Sequence, residues 1–123
     1  MILVDTSVWI DHFRHGDVEL TRLLNTGQVL THRFVIGELA LGSLRNRTLV
    51  LNALQNLQQV TVASDEEVLY FIENQTLFGT RIGYIDAHLL AAVRLSPGVL
   101  LWTRDKRLLS ESGRLGLSIN LTH

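Results

Sequence analysis

Apolar positions along the chain follow two rhythms. Short unbroken runs, Ile2-Leu3-Val4 and Val99-Leu100-Leu101-Trp102, read as strands buried on both faces. Longer stretches repeat apolar residues at three- and four-residue spacing and read as amphipathic helices. The first strand ends at Asp5, and Thr6 or Ser7 is placed to cap a helix carrying Val8, Trp9, Ile10 and Phe13. Asp17 opens a second helix with Leu20, Leu23 and Leu24 on one stripe, stopped by Gly27. A strand is expected over 28–32, a helix holding Glu38 over 34–43, and another helix over 47–57 with Val50, Leu54 and Leu57 on one face. Alternation over 59–62 predicts a further strand. Ser64 and Glu67 form a capping box for a helix carrying Val68, Leu69, Phe71, Ile72 and Leu77 and ended by Gly79. After a loop over 80–83 comes a helix over 84–95 containing Asp86, broken by Ser96-Pro97-Gly98. The run at 99–102, a short helix over 106–111, Gly113 and a last strand near 118–121 complete the chain.

Strands alternate with helices, with no repeat, low-complexity tract or linker. The pattern predicts a single α/β domain over residues 1–123 with a mainly parallel sheet. Ligands of such sheets bind beyond the carboxyl ends of the strands. Asp5 and Asp105 fall at two of those ends.

Composition narrows the chemistry. The chain has 123 residues and no cysteine, which excludes disulfides and thiolate metal sites. Eleven basic residues, ten of them arginine, nearly balance twelve acids, so a sequence-blind polycation coating nucleic acid is not expected. The longest apolar run, 89–93, is far short of the ~20 residues of a membrane span. Met1-Ile2-Leu3-Val4 meets Asp5 at once, without the pattern of a signal peptide, so a cytoplasmic protein with no membrane partner is expected. Charged residues are only 19% and apolar ones 46%, against a usual charged share of about 25%. A sheet buried on both faces accounts for part of this. The rest suggests an apolar surface kept for a partner or a second copy.

Four acids stand apart in apolar surroundings: Asp5, Glu38, Asp86 and Asp105. Each alone has an ordinary explanation. Asp5 and Asp105 can cap the helices after them, Glu38 can face water, and Asp86 can be a first-turn acid favoured by the helix dipole. Together they are costly to bury unless something pairs with them. Crowded carboxylates repel and raise one another's pKa, and a divalent cation removes that repulsion. Oxygen donors without cysteine suit Mg²⁺ or Mn²⁺. Histidine is the competing ligand. Asp86 and His88 diverge at i, i+2, His12 and His15 read as surface residues, and no HExxH pair joins them to His32 or His123, so a zinc hydrolase is disfavoured. Ser7, Ser43 and Ser110 lack a GxSxG setting, and Gly79 to Gly83 lacks the GK[ST] ending of a P-loop.

Asp5-Thr6-Ser7-Val8-Trp9-Ile10-Asp11 resembles the opening of PIN-domain nucleases, especially VapC-type toxins of prokaryotic toxin–antitoxin pairs. Glu38 with Leu39 and Gly42, Ile85-Asp86 with Leu89 to Ala92, and Leu101 to Asp105 resemble their second, third and fourth acidic positions. The resemblance spans essentially the whole chain, in order. It implies a PIN-like three-layer α/β/α sandwich and Mg²⁺- or Mn²⁺-dependent endoribonuclease action on a translation-related RNA (tRNA, rRNA or mRNA) that arrests growth. It also implies a cognate VapB-like antitoxin and pairing as homodimers, with higher toxin–antitoxin assemblies. On this reading Asp5 and Asp86 hold the principal metal, and Glu38 and Asp105 bind a second metal or orient coordinated waters. Two such ions about 3.5–4 Å apart can activate water and stabilise the leaving oxygen. Ser7 and Thr103 are placed to fix the carboxylate rotamers. Arg104, Lys106 and Arg107 flank Asp105 as candidates for RNA phosphates, with Arg114 nearby and Arg45 and Arg47 for an opposite rim. Trp9 reads as core or interface rather than a base-stacking platform.

Other classes fit less well. A phosphoacceptor receiver domain needs paired acids at the first strand and a mid-chain Asp, and the chain has no Asp between Asp17 and Asp65. An aspartyl-nucleophile phosphatase needs a second Asp where Ser7 stands. The remaining alternative is a non-catalytic module of PIN fold within a DNA-bound antitoxin complex.

Overall fold

The computed structural model describes residues 1–121, and His123 lies outside them. The run Ile2–Val4 is β1, with all three side chains buried, and it occupies the middle of a parallel sheet. β2 (Val29–Leu30) lies on one side and β3 (Leu100–Trp102) on the other, giving the order β2-β1-β3. The register pairs Ile2 with Val29 and Leu100, and Val4 with Trp102. Because the strands run parallel, the residues that follow each of them emerge at one edge.

The helices are α1 (Thr6–His15), α2 (Val18–Asn25), α3 (Arg33–Leu41), α4 (Arg47–Asn56), α5 (Asp65–Asn74), α6 (Tyr84–Leu95) and α7 (Lys106–Arg114). They complete an α/β/α sandwich around the sheet. α3 packs on α1 and α4, and α6 packs on α5 and β3. α6 is buried without a break from Ala87 to Val93, as its apolar sequence requires. The same core holds Leu3, Val4, Val35, Val68 and Leu101. No helix among the described residues is long and apolar enough to cross a membrane.

Several boundaries differ from expectation, each for a local reason. Of the residues the sequence offers as the cap of α1, Asp5 takes the position and Thr6 and Ser7 do not. The strand expected over 59–62 is a single parallel bridge between Gln59 and Thr31, because the chain beyond Thr31 turns into α3 with His32 as its cap. The strand expected near 118–121 is likewise one bridge, between Ser118 and Leu101, since β3 ends at Trp102. α5 stops at Asn74, and Leu77 folds back so that its N–H donates to the Ile72 carbonyl at 2.9 Å, well before Gly79. α7 runs through Gly113. It ends at Arg114, and the turn after it closes at Gly116, whose φ of 71° suits a residue without Cβ.

Candidate active site

Three of the four singled-out acids start from helix caps or first turns. Asp5, just past β1, caps α1 and is 5% exposed. Asp105, just past β3, caps α7 by accepting the Leu108 N–H on Oδ1 at 2.9 Å. Asp86 lies in the first turn of α6 and accepts the Gly83 N–H on Oδ2 at 3.4 Å. Glu38, half-buried on α3, accepts the Thr6 hydroxyl on Oε1 at 2.8 Å. The ordinary structural roles therefore operate, and they orient the acids. In each case the donors fall on one carboxylate oxygen, and the other has no hydrogen-bond partner among the described residues.

Asp5 is the most firmly held. Its Oδ2 accepts the Ser7 hydroxyl at 2.7 Å, the Thr103 hydroxyl at 2.7 Å and the Ser7 N–H at 3.4 Å. The two hydroxyls lie 3.3 Å apart. Ser7 Oγ accepts the Arg104 N–H at 3.0 Å, and Thr103 Oγ1 accepts the Asp105 N–H at 3.1 Å. The ends of β1 and β3 are thus stitched together through the hydroxyls of Ser7 and Thr103. Sequence reasoning missed Thr6. The sequence offers it only as a cap, but with Asp5 filling that position its hydroxyl orients Glu38. The adjacency of Thr6 to the first acid was the available signal.

Asp86 records how the acids feel one another. Burial and then the charge of Asp5 raise its carboxyl from the ordinary value to about 6; the Gly83 N–H opposes the rise, and the charges of Asp105 and Glu38 add to it by smaller amounts. The four acids share one electrostatic neighbourhood. As they stand, no three His, Cys, Asp or Glu side chains among the described residues are grouped closely enough to hold a metal ion. The donor set nevertheless suits a hard divalent cation: four carboxylates, each with an oxygen left over, and mutual repulsion for the cation to neutralise.

The basic candidates separate. Arg104 Nη1 donates to Asp11 Oδ2 at 2.9 Å, Nη2 donates to Asp17 Oδ2, and the guanidinium stands 5.3 Å from the Trp102 ring centroid. Arg47 donates to the carbonyls of Gly42 and Ala40, closing the end of α3. Arg114 is engaged by Glu111 and the Gln75 carbonyl. Lys106, Arg107 and Arg45 are exposed. Trp9 is buried in the core.

The histidines are not surface groups throughout. His32 and His88 are buried with rings 6.4 Å apart. His32 Nδ1 accepts the Phe34 N–H at 3.0 Å, and burial, then His88 and Arg33, lower its pKa to about 4, so the ring is neutral. His88 Nε2 lies 3.4 Å from Asp65 Oδ1, which also accepts the Tyr84 hydroxyl. These contacts tie the start of α6 to the start of α5.

The family model for the PIN domain matches residues 2–113, spanning all four acids. The chain belongs to the PIN-domain family. Among curated proteins, this PIN domain is 46% identical over 119 residues to ribonuclease VapC32 of Mycobacterium tuberculosis strain CDC 1551 / Oshkosh, covering 97% of this chain and 96% of that protein. The same figures hold for ribonuclease VapC32 of strain ATCC 25618 / H37Rv. It is thus a close relative of VapC-type toxins over nearly its full length.

Proposed function

We propose that this PIN domain is a metal-dependent endoribonuclease, the toxin of a toxin–antitoxin pair, which cuts a translation-related RNA (tRNA, rRNA or mRNA). The observation that carries the proposal is the Asp86 carboxyl, raised to about 6 by burial and by Asp5, Asp105 and Glu38. A protein gains nothing in stability from crowding acids. The arrangement makes sense where a cation completes it. Near-full-length similarity to proteins named ribonuclease VapC32 supports the same reading.

In this mechanism Asp5 and Asp86 would hold the principal Mg²⁺ or Mn²⁺, and Glu38 and Asp105 would serve a second ion or its waters. The metal, when bound, supplies water activation and stabilisation of the developing charge in phosphodiester hydrolysis. The chain's own part is positioning. Ser7 and Thr103 fix Asp5 through Oδ2, and Thr6 fixes Glu38 through Oε1. Asp86, whose carboxyl is raised to about 6, would have to be ionised to hold a cation. Lys106 and Arg107, exposed on the first turn of α7 beside Asp105, hold phosphates flanking the scissile one. A cognate VapB-like antitoxin blocks the site, and the exposed apolar residues serve the antitoxin or a second copy in a homodimer.

The test is cleavage of total cellular RNA by purified, antitoxin-free protein in Mg²⁺ or Mn²⁺ against chelator, with Asp5→Asn alongside. Discrete metal-dependent products absent from the variant are expected. A folded protein that neither cleaves nor binds metal would instead be an interaction module within a DNA-bound antitoxin complex.

A further inference from the structure

Arg104 sits between Thr103 and Asp105, two residues tied to the acidic site, yet its side chain turns to other acids. The guanidinium bridges Asp11 on α1 and Asp17 at the head of α2, with the Trp102 ring beside it. Asp17 is a firm anchor. It is 7% exposed, its Oδ1 accepts the Leu20 N–H at 2.9 Å as the cap of α2, and its own N–H donates to His12 Nδ1 at 3.0 Å. On the opposite side the Arg104 N–H donates to Ser7 Oγ, within the hydroxyl pair that grips Asp5. The strand-to-helix segment 103–105 is therefore pinned from both sides: to Asp5 by hydroxyls, and to α1 and α2 by the guanidinium.

We infer that Arg104 is a positioning residue: closed on Asp11 and Asp17, it holds the 103–105 segment against Asp5 and so sets the disposition in which Asp5 and Asp105 receive a divalent cation. The inference rests on the metal-dependent reading above. It removes Arg104 from the residues that touch RNA, although its sequence position beside Lys106 and Arg107 suggests a phosphate contact. The chemistry requires arginine. A planar fork with several N–H groups can engage two carboxylates at once, whereas a lysine presents a single point charge. A buried acid such as Asp17 also holds its partner firmly, because leaving that charge unpaired is costly.

The experiment measures Mn²⁺ affinity of the RNA-free protein by calorimetry, and amide hydrogen exchange of Arg104 and Asp105 in the metal-free protein. Wild type is compared with Arg104→Lys and Asp11→Asn. Asp11 is the more exposed partner and caps nothing, so its variant tests the brace even if changes at Arg104 disturb folding. Arg104→Lys should weaken Mn²⁺ binding by about 10-fold or more, the range seen when groups orienting metal ligands are lost. Both amides should exchange faster, and Asp11→Asn should shift both readouts in the same direction by less. RNA binding, measured without metal, should change little in either variant. Unchanged Mn²⁺ affinity and amide exchange in both variants would overturn the inference, as would weakened RNA binding with metal affinity intact, which would make Arg104 a phosphate contact. Absence of Mn²⁺ binding by wild type would instead count against the metal-dependent reading itself.

Discussion

Asp86 carries a pH dependence whose sign is fixed by its raised pKa. The folded protein keeps the Asp86 proton up to about pH 6, while the unfolded chain releases it near the ordinary carboxylate value. Between those values the native state binds more protons, so stability falls as pH rises. Above pH 6 the full penalty is present. Asp86→Asn removes the charge and keeps an acceptor for the Gly83 N–H. The metal-free variant should therefore be more stable than wild type at pH 7, by about 1–2 kcal/mol after allowing for solvent screening at this half-buried site. Urea unfolding at pH 5 and 7 checks this, with the gain shrinking at pH 5. Thr6→Val tests the orientation of Glu38. It should cost at most about 1 kcal/mol in stability, yet raise the Mg²⁺ concentration needed for half-maximal cleavage. At this scale the sequence was informative about identity and silent about angle. Four acids among apolar residues were visible as a set, as were Ser7 and Thr103 beside two of them. That Thr6 would turn its hydroxyl to Glu38 depends on one turn of backbone, which no spacing rule resolves.

Helices and strands differ in how plainly they could be read, and the difference is physical. α6 was expected over the same residues it occupies, because glycine precedes it, a serine-proline-glycine break follows it, and its apolar face is continuous. The capping box of α5 forms as its spelling requires: the Glu67 N–H donates to Ser64 Oγ at 3.1 Å and the Ser64 N–H to Glu67 Oε1 at 2.9 Å. Ser64→Ala should cost about 1 kcal/mol in thermal unfolding. Such signals are local. A strand depends on a partner, and the stretches near Gln59 and Ser118 met too little of one. Thr31 and Leu101 each accept one bridge before the neighbouring chain turns away. The α7 boundary was misread for another reason. Gly113 reads as a stop, but Arg114 is held by Glu111 and the Gln75 carbonyl, and the helix stays wound through Arg114.

Across the whole molecule, the proposed RNA cleavage asks a nearly neutral chain to bind a polyanion. Arg47, Arg104 and Arg114 are occupied within the protein, which leaves Lys106 and Arg107, with Arg45 on the opposite rim, as the proposed phosphate contacts. RNA binding by the Asp5→Asn protein should then depend only modestly on salt. Replacing both Lys106 and Arg107 by Ala should flatten the slope of log affinity against log salt by about 1.4, at roughly 0.7 per phosphate contact on a single strand. Exposed Leu69, Tyr70, Phe78 and Leu95 account for part of the high apolar content. The central claim is that Asp5, Glu38, Asp86 and Asp105 act as one charged site completed by a divalent cation. It is tested most directly by following the Asp86 carboxyl carbon by NMR through a pH titration, with and without Mg²⁺. The account predicts a midpoint near 6 in the metal-free protein and a clear fall when Mg²⁺ is added. An ordinary carboxylate midpoint that Mg²⁺ leaves unmoved would contradict it.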